Sequence, residues 1–104
     1  MPDPENRFKQ LLGLATKAGA VVSGEFAVEQ AIRKGEVFLV IIARDASENT
    51  KKHFRDMCAY RQVPILFALE KSELGRYTGK EQRASAGLLN KGFADKLISI
   101  KREG

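Results

Sequence analysis

The chain has 104 residues, 43% of them apolar and 30% charged, which is the composition of an ordinary soluble protein with one domain and one modest core. Eighteen basic against thirteen acidic residues leave a charge of +5, which favours polyanionic partners, nucleic acid before membrane. Cys58 is the only cysteine, which excludes an intrachain disulfide; the longest apolar run, 37–43, is too short to cross a bilayer.

The opening Met-Pro-Asp-Pro-Glu-Asn has no apolar stretch for an export signal, so the cytoplasm is the expected compartment. Asp3 is placed to cap a first helix, with Pro4 at its first position and Glu5 in its first turn. Phe8, Leu11, Leu12 and Ala15 then recur at helical spacing until Gly19. Residues 20–23 read as a short strand, followed by a glycine turn and a helix that ends at Gly35. At ~100° per residue, Val28, Ala31 and Ile32 share one side of that helix, with Ala27 at its edge. Phe26, Gln30, Arg33 and Lys34 fall broadly on the other side. Residues 37–43 are apolar throughout, as in a strand covered on both faces. Asp45 and Ser47 end it and can cap the next helix, in which Thr50, Phe54, Met57, Cys58 and Arg61 share a face while Lys51, Lys52 and Arg55 point elsewhere. Val63 and Pro64 lead into a third buried strand, 65–68. A short helix with Ser72, Glu73, Leu74 and Tyr77 stops at Gly79. Residues 85–89 make a fourth strand, a last helix covers 93–98, and the tail 101–104 is expected to fray. Helices alternate with strands, which packs as a three-layer α/β/α sandwich.

The start of the helix after Gly24 exposes unpaired N–H groups and a partial positive charge, which suits a phosphate. Phe26 has two readings there: a ring that meets an unstacked base, or one folded back onto a neighbouring element. No catalytic set is present. His53 has no Ser or Cys partner and reads as a surface histidine. Cys58 reads as a buried, inert thiol. No Cys/His grouping has metal spacing, and no cofactor is implied. Gly75-Arg-Tyr-Thr-Gly79-Lys80-Glu81 fails as a phosphate loop: it is one residue short, has Glu81 where a hydroxyl belongs, and follows a helix. Asp45 at a strand end suggests a phospho-accepting domain, but 21–24 offers no second acid for magnesium.

The segments Leu14-Ala-Thr-Lys-Ala-Gly19 with Val22-Ser-Gly24, Ala31-Ile-Arg-Lys-Gly35, residues 39–47 with Asn49 and Thr50, Val63-Pro64, and Glu73-Leu-Gly75 with Gly79 occur in one order and spacing. In these the chain resembles the kink-turn-binding ribosomal protein family of the large subunit, the seven-Ae and thirty-e type, and its small bacterial members in particular. The resemblance spans about 8–97. It implies an α/β/α sandwich on a mixed four-stranded sheet and non-enzymatic binding of structured RNA, ribosomal RNA or the ribosome. It places RNA contacts at 24–34 and at the loop 80–84. Asparagine, glutamate and lysine of the best kink-turn binders align with Phe26, Ala27 and Gln30, which removes two groups that read guanine edges.

The expected RNA contacts are therefore Lys17, Gly24, Glu25, Phe26, Gln30, Arg33, Lys34, Lys80, Gln82, Arg83 and Ala84, with phosphates on the N–H groups of Gly24 and Glu25 and on the cations. Neither DNA nor membrane is an expected partner. Two other functions fit the same pattern. One is a protein-interaction module that has lost RNA; the other is a small-molecule α/β domain, which needs a deep polar pocket at the strand ends.

Overall fold

The Asp3 side chain accepts a hydrogen bond from the Asn6 N–H at 2.8 Å, and Pro4 opens α1 (Pro4–Lys17), as the capping pattern predicts. The structure, a computed structural model, describes residues 3–104. Met1 and Pro2, with which the segment read for an export signal begins, lie outside the described residues. After α1 come β1 (Val21–Ser23), α2 (Glu25–Arg33), β2 (Leu39–Ile42), α3 (Glu48–Arg61), β3 (Ile65–Phe67), α4 (Lys71–Tyr77), β4 (Ser85–Leu88) and α5 (Lys91–Glu103). No helix among the described residues is long and apolar enough to cross a membrane.

The sheet order is β1-β4-β2-β3, with β2 parallel to β3 and β4 antiparallel to both β1 and β2. The sheet is therefore mixed. Side chains alternate across it. Leu39, Ile41, Ala86 and Leu88 face a layer built by α1, α4 and α5, where Phe8, Leu12, Ala15, Leu74, Ala94, Leu97 and Ile100 are buried. Val40 and Ile42 face α2 and α3, which bury Val28, Ala31, Ile32, Phe54 and Cys58. The result is an α/β/α sandwich. Lys9 ties α1 to α4 through Glu73 at 2.7 Å, and its hydrogen bond holds the Glu73 carboxyl below the usual carboxylate range.

Several expectations need correction. The strand read over 37–43 is only Leu39–Ile42; Phe38 still donates to the Leu88 C=O of β4 at 2.9 Å, but it is 42% exposed and has no partner on β3, which begins opposite Val40. The third strand is half-buried, since an edge strand has a neighbour on one side only. Asp45 does not cap α3. Ser47 does, accepting from the Thr50 N–H at 3.1 Å, while Asp45 accepts from the Lys71 N–H at the start of α4. The last helix is longer than 93–98 and its tail is not frayed. Asn90 caps it through the Phe93 N–H, it runs to Glu103, and that carboxylate pairs with Arg7 of α1.

Candidate nucleic-acid interface

Gly24 stands at φ 96°, ψ 148°, where a side chain is strained, and swings the chain from β1 into α2. Its own N–H is taken by the Ser85 C=O at 3.0 Å, so the phosphate contact expected at that group is not available. The next groups are available. No side chain among the described residues caps α2, which leaves the N–H groups of Glu25, Phe26 and Ala27 without an intrahelical acceptor. Together they concentrate the positive end of the helix dipole at this point.

Arg83 lies over the same turn. Its Nε is 3.6 Å from where a Gly24 Cβ would stand, and it is buried with no hydrogen-bond partner, while Nη1 donates to the Gln82 C=O at 2.8 Å. Ser85 is 1% exposed, and its Oγ is likewise unpartnered. Alternation along β4 turns Ser85 away from the layer that Ala86 faces, and so toward α2. Three uncapped N–H groups and a guanidinium thus lie at one turn, a donor set suited to an anion. Phe26 sits in that first turn with its ring 74% exposed, so it is not folded back onto a neighbour. Glu25 beside it is exposed; Ala27 and Gln30 are half-buried.

The remaining predicted contacts are dispersed. Arg33 and Lys34 are exposed at the far end of α2, about 13 Å along the helix at 1.5 Å per residue. Arg61 joins them, donating to the Arg33 C=O at 3.3 Å and lying over the ring of Tyr60, which is 84% exposed. Sequence periodicity placed Arg61 on a core-facing side and did not single out Tyr60; a cation beside an exposed aromatic at a helix end was the available signal. Lys17 lies at the other end of β1 from Gly24, in a groove with Thr16, Arg76, Tyr77 and Gly79. Lys80 and Gln82 are exposed on the second contact loop. Ala84 is half-buried: it packs against the α2/α3 core, and its C=O accepts from the Ala43 N–H. Ser85 does not stand out in the sequence, where it is one serine at the start of a strand.

His53 is exposed and pairs with Glu29, and Glu25 completes a group whose donor atoms lie within 4.8 Å of one another. This group holds one histidine and no cysteine, so it is not one of the Cys/His groupings considered in the sequence. Cys58 is 1% exposed, and burial pushes its thiol up to about 11, which makes it unreactive near neutral pH. A cavity of about 300 Å³ opens at the carboxyl ends of β2 and β3, but its floor of Phe8, Ala68, Leu69 and Ile100 is apolar and its Arg44 is paired with Glu5. It is not the polar pocket that the small-molecule reading requires.

A model of the ribosomal protein L7Ae/L30e/S12e/Gadd45 family matches residues 6–98. The chain belongs to that family. The RNA-binding protein YlxQ of Bacillus subtilis is 46% identical over 90 residues, 86% of this chain and 90% of that one. The large ribosomal subunit protein eL8 of Picrophilus torridus is 32% identical over 96 residues, 88% of this chain and 76% of its own length. A solved structure from Bacillus halodurans C, described as a protein of unknown function, superposes with a TM-score of 0.86 at 38% identity, covering 89% of this chain and 94% of that one. The L7Ae/L30e/S12e/Gadd45 family is one of ribosomal-type proteins and not of enzymes.

Proposed function

We propose that this chain binds structured RNA, ribosomal RNA with a kink-turn or a related bend, through the Gly24 turn and the first turn of α2, and that residues 1–104 act as one RNA-binding domain in the cytoplasm. The relatives support the class of ligand: one is named an RNA-binding protein, another a component of the large ribosomal subunit. Phe26 carries the reading. Its ring is 74% exposed beside uncapped N–H groups and the Arg83 guanidinium, so a phosphate and an unstacked base can be held side by side. Stacking accepts any base, and Ala27 has no group with which to read guanine. Recognition therefore follows the shape of the bend more than the identity of its G·A pairs. Glu25 repels phosphate, which shifts the backbone toward Arg83 and keeps affinity modest.

Phe26→Ala tests this with a melting curve and a titration against a kink-turn RNA. The expected result is a loss of about 1–3 kcal/mol in RNA affinity with an unchanged melting temperature, because an exposed ring adds little to the core. Unaltered RNA affinity in the folded variant would sink the stacking contact.

A further inference from the structure

On the side of the sheet away from α2, α1 presents a face that RNA binding at Gly24 does not use. Leu14 is 57% exposed there and stands between two grooves. The groove between α1 and α5 is lined by Leu11 and Ile100; the one between α1 and α4 by Gly13 and Tyr77. A lone exposed leucine needs no explanation, but one that forms the ridge between two apolar grooves does.

Gly13 is a separate observation. It lies inside α1, where glycine weakens a helix relative to alanine. Nothing within the chain requires it, since a Cβ there would meet only Tyr77 Cδ1 at 3.9 Å, an ordinary contact. Bare backbone beside an exposed ridge lets something outside the chain come close.

The rims are cationic. Lys17 and Arg76 edge one groove and Lys96 the other, and none of the three has an ion pair among the described residues. The nearby carboxylates Glu73 and Glu103 are already held by Lys9 and Arg7.

We propose that this face docks an acidic amphipathic helix of a partner protein, with apolar side chains on either side of Leu14 and carboxylates on Lys17, Arg76 and Lys96. Charge decides the class of occupant. A second copy would set these cations against themselves, and RNA would use the cations while leaving Leu14 and both grooves uncovered.

The probe is a short synthetic helix of leucine and glutamate in amphipathic spacing, titrated into the isotope-labelled full chain and followed by amide shifts. The control replaces each glutamate with lysine. Saturable shifts around Gly13, Leu14, Lys17 and Tyr77 are expected with the acidic helix alone. Leu14→Asp should weaken binding by roughly tenfold or more, a factor worth about 1.4 kcal/mol. Gly13→Ala should raise the melting temperature and still weaken binding, which separates docking from folding. The proposal is overturned if the acidic helix leaves these amides unmoved, if either variant binds it as well as the natural chain, or if structured RNA moves this set in place of the amides around Phe26.

Discussion

Ser85 Oγ and Arg83 Nε are buried polar atoms that the fold leaves without partners. An unsatisfied buried hydroxyl costs about 1–3 kcal/mol, so a serine that served only the fold would do better as alanine. Ser85→Ala is therefore expected to hold or raise the melting temperature while lowering RNA affinity, by about 1.5–3 kcal/mol if Oγ donates to a phosphate. Calorimetry and RNA titration on the one variant check both halves, and a fall in melting temperature with intact binding would make Ser85 structural. Little of this could be read from the sequence. Helical periodicity did put Phe26 on the polar side of its helix, and the structure leaves it exposed. The position of Arg83 over Gly24 depends on a contact between residues distant in the chain, to which local pattern is blind.

Gly75 shows the same limit at the scale of an element. In the sequence it belonged to a failed phosphate loop; in the fold it is where the chain crosses α4. A Cβ on Gly75 would lie 2.4 Å from the Glu81 carbonyl oxygen and 2.7 Å from Gln82 Cα, and its C=O accepts from the Lys80 N–H at 2.7 Å. The loop carrying Lys80, Gln82 and Arg83 is thus seated directly on the helix backbone. Gly75→Ala must push that loop away, at a cost typical of overpacking, about 1–3 kcal/mol. Denaturant melts should show the loss, and RNA affinity should fall with it as Arg83 leaves the α2 start; a variant as stable as the natural chain would mean that the loop moves freely. The elements that local chemistry specifies were legible: α1 from Asp3 and Pro4, α3 from Ser47, the core side of α2 from Val28, Ala31 and Ile32. Strand order was not, because the place of β4 between β1 and β2 and the edge position of β3 depend on long-range pairing. The extent of α5 was hidden by its charged tail, which gains its anchor only when Glu103 meets Arg7.

Across the whole molecule, the basic residues that give the charge of +5 are divided between the two layers that flank the sheet. Arg83 serves the start of α2, while Arg33, Lys34 and Arg61 cluster at its other end. Lys17, Arg76 and Lys96 lie along the grooves of α1, in the layer across the sheet. Along an RNA that follows α2 from end to end, the protein neutralises roughly three to five phosphates, so log K should fall with log salt at about 0.7 to 0.9 per contact. Arg33→Ala and Lys34→Ala should each lower that slope by about one while barely changing stability, since both side chains are exposed. Lys17→Ala should leave the slope as it is, because Lys17 lies on the α1 groove, in the layer across the sheet from α2. Binding titrations of the three variants across a salt series check this. If Lys17→Ala alone flattens the response, the RNA runs along α1, and the footprint on α2 is wrong.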